Sequence, residues 1–511
     1  MIPVVDSLGM READRVTIDK LGLPSLVLME SAAAAVTEVV AERFPEARRA
    51  IVVCGPGNNG GDGLAVARQL LCRGFDAEAA LVATKGSLKG DAAAQVRLAR
   101  SFGVRIHDCG TGTEDRLLEL FAGADVIVDA LFGTGLDRPL TGRWARAVRA
   151  INRAGVPVVA VDIPSGLQGA SAGVPEDAVV ASVTVTFAAP KIAHVLPPAC
   201  WRCGEIAVAD IGIPPWVVAR VAGLALLEAA DVRGWLPQRL PDSHKGRFGH
   251  LLLVAGREGR AGAAALAARA AVVLGSGLVT VATVPAAVRP IQSLVPEAMV
   301  DPLPAGAGGE VDGEGIERSL GKATAVAIGP GLGLGEGPRR LLATILERWR
   351  GPLLLDADAL SLLSGKLGRI KGRDVPAVLT PHPGELGRLL VVGTDEVTSD
   401  RLGAARAAAR RAGAVVVAKG SRTVIAGGEG WDLVNPTGTP GLASGGAGDV
   451  LTGAIGAFLA QRVAPKEAAA AGAWLHGRAA ELAGDRYAGA VPAGVVARML
   501  AKAEAELRRP A

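Results

Sequence analysis

Ala50-Ile51-Val52-Val53-Cys54-Gly55-Pro56-Gly57-Asn58-Asn59-Gly60-Gly61-Asp62-Gly63 begins as a short apolar run and breaks into glycine, asparagine and one aspartate. The apolar part reads as a buried parallel strand. A helix is predicted to follow, from Leu64 to Arg73. Strand, glycine-rich loop and helix, in that order, set backbone N–H groups and a helix N-terminus at the carboxyl end of a parallel strand, where phosphate binds. The loop is neither G-x-G-x-x-G nor a Walker loop, which would need Gly-Lys before Ser or Thr. Its two asparagines add oxygen and amide groups suited to a hard monovalent cation or to the polar edge of a ligand. A turn with Asn in left-handed conformations accounts for two or three of these residues, but not for the whole run Gly55 to Gly63.

Two strand ends further on look alike. Val126-Ile127-Val128-Asp129-Ala130-Leu131-Phe132-Gly133-Thr134-Gly135 ends in an acid and a Gly/Thr loop, and Val158-Val159-Ala160-Val161-Asp162-Ile163-Pro164-Ser165-Gly166 ends in Asp-x-Pro-Ser-Gly. In one parallel sheet all three loops emerge on the same edge, so Asn59, Asp129, Asp162 and Ser165 are expected to converge. Carboxylate, amide and hydroxyl oxygens around a cation suit potassium. Val183 to Phe187 is one more strand, with Lys191 just past its end. Upstream, Asp6 to Lys20 carries mixed charge and is compatible with a helix. Ser25 to Phe44 reads as a helix with Leu26, Met29, Ala33, Val36 and Val40 on one face. Glu30 within it is expected at a solvated position.

The same grammar returns after a Pro-rich, polar stretch between Ile211 and Arg247. Strands are predicted to end in Gly256, in Gly329-Pro330-Gly331-Leu332-Gly333, in Asp356-Ala357-Asp358, in Thr380-Pro381-His382-Pro383 and in Lys419-Gly420-Ser421-Arg422-Thr423. A second open α/β sheet with its site along one edge follows. The expected domains are 1–228 and 229–511. Lys419, Gly420 and Thr423 offer a cation, a close-approach glycine and a hydroxyl to phosphates. His382 lies between two prolines and is read equally as a substrate contact or as a packed histidine. Asp356 and Asp358, two apart on an extended stretch, should face one way towards substrate or Mg²⁺, with a helix-cap role equally open for Asp356. Gly441-Leu442-Ala443-Ser444-Gly445-Gly446-Ala447-Gly448-Asp449-Val450-Leu451 is a glycine-rich turn opening a helix. Its N–H groups suit a phosphate, and Asp449 suits a base that deprotonates a hydroxyl meeting that phosphate. An ordinary helix start with an acid in its first turn is the competing reading.

Composition narrows the class. Of 511 residues half are apolar and only 3% aromatic, so Val, Leu, Ile and Ala must fill the cores. A net charge of +4 without clustered Lys/Arg gives no nucleic-acid surface. Five sparse cysteines argue for a reducing compartment, and Cys200-x-x-Cys203 has no second pair to complete a zinc site. No membrane-length apolar run or signal peptide is read, and a cytoplasmic location is expected.

Leu23-Pro24, Leu28-Met29-Glu30, Gly55 to Gly63, Asp129 to Gly133 and Asp162 to Gly166 together resemble the NAD(P)H-hydrate epimerase family, a Rossmann-like α/β/α sandwich. The resemblance implies that Asn58, Asn59, Gly60, Gly61 and Asp62 hold the hydrated nucleotide. So would Gly133, Thr134, Gly135, Leu136, Asp137, Arg138, Pro139 and Asp162, with Asn59, Asp129 and Ser165 holding potassium. Gly329 to Gly333, Asp356 to Leu360, Thr380 to Glu385, Lys419 to Thr423, Asn435 to Gly438 and Gly445 to Asp449 resemble the ribokinase-like superfamily, in its NAD(P)H-hydrate dehydratase branch. That likeness implies hydrate contacts from Ala263, Gly331, His382 and Asp449. It also implies adenine-nucleotide contacts from Lys419, Gly420, Ser421, Arg422, Thr423 and Gly448. Ala447 departs from the Thr or Ser often found there and leaves only its backbone N–H.

The combined expectation is a bifunctional repair enzyme for hydrated NADH and NADPH. The first domain would interconvert the R and S hydrates, with Asp162 as first and Lys191 as second acid–base candidate. The second would dehydrate the S form with Asp449 as base, using ADP or ATP with Mg²⁺, ADP being favoured by likeness to bacterial two-domain members. Such enzymes are usually homo-oligomers. The alternative is a ribokinase-like small-molecule kinase fused to a non-catalytic nucleotide-binding module.

Overall fold

The computed structural model describes residues 1–83, 88–111, 113–484, 487 and 489–509. The chain divides into two compact units, Ile2–Ala225 and Leu226–Ala511, the second including Met1.

The first unit is built on seven strands, β1 (Arg49–Cys54), β2 (Asp76–Leu81), β3 (Arg105–Asp108), β4 (Val126–Ala130), β5 (Val158–Val161), β6 (Val183–Phe187) and β7 (Glu205–Ala209). Their order is β3-β2-β1-β4-β5-β6-β7, with every pair parallel. Strand order reverses between β1 and β4, which opens a crevice outside their carboxyl ends. Alternate residues of β1 serve two cores. Ala50, Val52 and Cys54 pack beneath helices Ser25–Arg43 and Asn58–Cys72, whereas Ile51 and Val53 join the cluster with Leu117, Val148 and Ile151.

The helix after β1 starts at Asn58, six residues before the expected Leu64. The glycines allow it. Gly57 caps the helix in an extended conformation, and a Cβ at Gly60 would lie 2.0 Å from the Gly55 carbonyl oxygen. The first turn therefore rests on the β1 loop, and Asn58 to Asp62 belong to the helix start. Glu30 is not the solvated position expected. It accepts from Arg68 at 2.5 and 2.6 Å, from Gln69 at 3.0 Å and from Gln95 at 2.7 Å, tying three helices together.

In the second unit β8 (His250–Val254), β9 (Leu278–Thr283), β10 (Met299–Pro302), β11 (Ala325–Ile328), β12 (Leu353–Leu355), β13 (Val378–Leu379) and β14 (Val415–Ala418) are parallel. β15 (Val424–Ala426) and β16 (Asp432–Val434) continue antiparallel. The order β16-β15-β14-β13-β12-β11-β8-β9-β10 again reverses at one point, beside β8. Helices Ala261–Val273 and Ala447–Ala460 cross closely there, since a Cβ at Gly453 would meet the Ala267 carbonyl oxygen at 2.0 Å. That close crossing carries the start of the second helix to the sheet's carboxyl edge. Among the described residues no helix is long and apolar enough to cross a membrane.

Candidate functional sites

A cavity of about 520 Å³ lies at the strand-order reversal of the first unit. Asn58, Asn59 and Asp62 line it from the helix after β1, and Gly133 to Leu136 from the loop after β4. Asp162 and Lys191 complete the sheet-edge wall. Asp137, Arg138 and Pro139 are exposed and lie off this lining. Gly60 and Gly61 are buried and act through close packing, Gly61 facing Met29 Cε at 2.8 Å from its would-be Cβ.

Asp162 is the best-defined group. Its backbone sits at φ 67°, a region costly for a side chain other than glycine and found at functional positions. Its carboxylate accepts from Lys191 Nζ at 2.6 Å, Thr186 Oγ1 at 3.2 Å and Thr134 N at 3.3 Å. Burial pushes this carboxyl up, but the Lys191 ammonium prevails and holds it below its ordinary value. Lys191 is 0% exposed, and it also donates to Thr186 Oγ1 at 2.8 Å and to the Phe187 carbonyl at 3.1 Å. All three ammonium protons are thereby engaged. A Cβ at Gly133 would come to 3.0 Å from Asn59 Oδ1 and 3.2 Å from Asp162 Oδ2, so the loop passes closely between these two side chains.

Asp129 and Ser165 meet directly. Ser165 Oγ donates to Asp129 Oδ1 at 2.7 Å, and Ser165 N donates to Oδ2 at 2.8 Å. Ser165 Oγ also accepts from Phe132 N at 2.9 Å. Burial raises the Asp129 carboxyl to about 6, against the lowering effect of its bonds from Ser165. Among the described residues Asn59 Nδ2 is buried without a hydrogen-bond partner. A half-turn of that amide would aim its oxygen where the nitrogen finds no acceptor. The donor chemistry of the three, carboxylate, hydroxyl and amide, suits a monovalent cation, with Asp129 and Ser165 in direct contact and Asn59 on the cavity wall, and such a charge would hold Asp129 ionised.

Three further carboxyls line the cavity besides Asp162, namely Asp14, Asp62 and Asp91. Asp14, from helix Ser7–Arg15, lines the cavity within electrostatic reach of Asp162 and Lys191, and nothing in the sequence marks it among the mixed charges around it. Asp62 is raised well above its ordinary value by burial and by the charges of Asp162 and Asp14.

In the second unit Lys419 lies at the centre of a charged cluster with Gly448 beside it. Its Nζ donates to Asp356 Oδ1 at 3.0 Å and lies 3.8 Å from Glu385 Oε2. A Cβ on Gly448 would sit 3.6 Å from the same nitrogen. Burial would lower the lysine, but Asp356 and Glu385 outweigh it and keep the ammonium charged. Gly446, at φ 88°, precedes the helix Ala447–Ala460, which places Asp449 in the first turn. The Asp449 carboxyl is raised to about 6 by burial and the Asp356 charge, partly offset by Lys419.

Asp356 and Asp358 do not face one way. Ala357 between them adopts φ 48° and ψ −117°, so the stretch is not extended. Asp356 is buried and accepts from Thr380 Oγ1 at 2.7 Å and Thr452 Oγ1 at 2.6 Å besides Lys419. Asp358 turns to Gly333 N at 2.8 Å and braces the loop after β11. Asp356 is thus neither a helix cap nor a free metal ligand, but the anchor of Lys419.

His382 caps helix Pro383–Leu390, its Nδ1 accepting from Gly384 N at 3.1 Å while its ring remains half exposed. Ala263 and Gly331 are neighbours, with 3.3 Å between Ala263 Cβ and a Cβ placed on Gly331. Thr423 Oγ1 donates inward to the Gly420 carbonyl at 2.9 Å, Ser421 is exposed, and Arg422 adopts φ 55°. Lys419 to Thr423 form the turn joining β14 to β15.

A family profile described as NAD(P)H-hydrate dehydratase matches residues 251–502, and one described as YjeF-related protein N-terminus matches residues 25–193. The chain is 40% identical over 487 residues to a Moorella thermoacetica protein named bifunctional NAD(P)H-hydrate repair enzyme Nnr, covering 94% of this chain and 92% of that one. It is 37% identical over 481 residues to a protein of the same name from Thermofilum pendens, covering 92% and 90%. Among solved structures, an ADP/ATP-dependent NAD(P)H-hydrate dehydratase from Bacillus subtilis, co-crystallised with ATP and Mg²⁺, is 33% identical. The match covers 55% of this chain and 98% of that one, with a TM-score of 0.49.

Proposed function

The chain belongs to the family of bifunctional NAD(P)H-hydrate repair enzymes, and from that membership we propose how its two sites divide the work. The Ile2–Ala225 unit interconverts the R and S hydrates of NADH and NADPH, and the Leu226–Ala511 unit dehydrates the S form at the expense of a nucleotide. The observation that carries this reading is that each unit pairs an aspartate with a lysine at the carboxyl edge of its parallel strands, Asp162 with the buried Lys191 and the buried Asp356 with the part-buried Lys419.

In the first unit, the hydroxyl on carbon 6 of the nicotinamide ring departs with help from the ring nitrogen, and an acid–base group manages its proton. Asp162, held ionised by Lys191, is the base in this scheme. Lys191 serves as its positioning residue, because its protons are already engaged. Asn58 to Asp62 and Gly133 to Leu136 bind the nucleotide, and Asp137 to Pro139 are reserved for its outer part. Asn59, Asp129 and Ser165 would hold potassium, whose charge favours bound phosphate and an ionised Asp129.

In the second unit, water leaves poorly, so the hydroxyl is phosphorylated first and departs as phosphate. Asp449 takes the hydroxyl proton, the amides from Gly445 to Gly448 face the transferring phosphoryl group, and Lys419 balances its charge. Ala263, Gly331 and His382 contact the hydrate, and Lys419 to Thr423 with Gly448 contact the adenine nucleotide. The nucleotide, ADP or ATP, arrives with its own Mg²⁺. ADP is the preferred reading, together with a cytoplasmic homo-oligomer.

A kinase for some other alcohol is distinguished by its product. Incubation with the S hydrate and nucleotide should release one inorganic phosphate for each reduced nicotinamide recovered, with no stable phosphorylated dinucleotide. Accumulation of a phosphorylated product without phosphate release would replace the dehydratase by a kinase.

A further inference from the structure

Asp162 and Lys191 do not complete a machine for epimerisation. The hydroxyl leaves carbon 6 from one face of the ring and returns to the other, so protons must be managed on both faces. Asp162 stands on the sheet-edge wall of the cavity, and Lys191 has no proton to spare. Resting on the assignment of this cavity as the epimerase site, we propose that Asp14 is the second catalytic residue, giving and taking the proton on the helical face of the bound ring.

The geometry is specific. Helix Ser7–Arg15 and the π-helical turn Val16–Lys20 turn Met10, Arg11, Asp14 and Ile18 to the cavity, one stripe at helical spacing. The segment is fixed to the Lys191 side of the site. Val5 N donates to the Pro190 carbonyl at 3.0 Å, Val5 bridges Lys191, and Asp6 caps the helix through Gly9 N at 2.7 Å. Among the described residues no hydrogen bond or ion pair ties down the Asp14 carboxyl, which leaves it free for a ligand.

The electrostatics separate the two acids. The charged groups around Asp14 are Arg11 on its own helix, Asp62, Asp91, Asp162 and Lys191 on the cavity wall, and Arg220 on the helix packed behind. Asp19 and Lys20 of the π-helical turn are exposed. Burial and then the Asp162 charge raise Asp14 to about 6, against a smaller lowering by Lys191. Asp162 is lowered. Two carboxyls pushed apart in this way divide naturally into proton donor and base.

The step balances. Protonated Asp14 gives its proton to the carbon 6 hydroxyl, the C–O bond breaks, and the ring-nitrogen lone pair forms the iminium as water leaves. Water adds to the opposite face, the C=N electrons return to nitrogen, and Asp162 accepts the proton lost by that water. An iminium carbon is electrophilic enough for a weak base to suffice. Solvent returns the proton from Asp162 to Asp14, and the roles exchange in the reverse direction.

The test compares the full chain with Asp14→Asn and Asp14→Glu, measuring epimerisation of pure R hydrate against pH and, separately, nucleotide-dependent dehydration of pure S hydrate. Asp14→Asn should lower epimerisation about 10²-fold or more, abolish the limb of the pH profile near 6, and leave dehydration unchanged. Asp14→Glu should restore part of the rate and a shifted limb. Wild-type epimerisation with Asp14→Asn at an unaltered rate and profile would overturn the role of Asp14 alone. No epimerisation by the wild-type chain would instead overturn the site assignment on which the proposal rests.

Discussion

Replacing Asp449 by Asn is expected to lower dehydration of the S hydrate by about 10²-fold or more, the usual contribution of a positioned general base. Asn preserves the shape of the helix start and its N–H groups, so the loss would fall on the proton transfer rather than on nucleotide binding. The pH profile gives a second, independent signature. A carboxyl raised to about 6 is ionised and competent above that pH, and it loses competence as pH falls through it. The wild-type rate should therefore fall about tenfold per pH unit below the limb, as expected for titration of a single required base, and the residual rate of the variant should be flat there. The sign for stability is opposite. A carboxyl whose folded pKa is raised binds its proton more tightly folded than unfolded, so its ionised form opposes folding at neutral pH. Asp449→Asn should unfold at the same temperature or a higher one. Thermal unfolding beside the rate measurement separates a lost base from a damaged fold, and a variant at near wild-type rate would refute the assignment.

Asp162→Asn is expected to abolish epimerisation while dehydration of the S hydrate continues. The effect has two sources. The base is lost, and Lys191, 0% exposed, is left without its carboxylate. Breaking a buried pair from one side costs about 3–5 kcal/mol, so the transition of the Ile2–Ala225 unit should move to lower temperature. The double replacement Asp162→Asn with Lys191→Met removes the stranded charge and should recover much of that stability without recovering epimerisation. Unchanged epimerisation in Asp162→Asn would remove the residue from the mechanism.

Much of this was legible before any coordinates, for a physical reason. In parallel α/β sheets the working residues stand where strands end, and a strand end is a local pattern of β-branched residues giving way to Gly, Asp, Asn or Lys. The candidate residues Asn59, Asp129, Asp162, Ser165 and Lys419 announce themselves in that way, and Asp449 does so through the glycine-rich turn that opens its helix. What depends on packing between distant segments does not. Asp14 sits among mixed charges on an amphipathic helix, and only the tertiary fold turns it towards the cavity. Glu30 looked solvated because Arg68, Gln69 and Gln95 come from two other helices. The helix starting at Asn58 was read as beginning later, because glycine disfavours helices in isolation while here it permits contact with the Gly55 backbone. Asp356 and Asp358 diverge through one residue, Ala357 at φ 48°, a conformation that alanine does not advertise.

One chain is expected to carry both activities. A mixture of R and S hydrates of NADH, incubated with the full-length protein, Mg²⁺ and either ADP or ATP while the reduced-nicotinamide absorbance is followed, tests it most directly. Return of the absorbance expected for the whole mixture, at a rate well above spontaneous epimerisation, is the predicted result. Recovery that stops at the S fraction, or no recovery with either nucleotide, would contradict it.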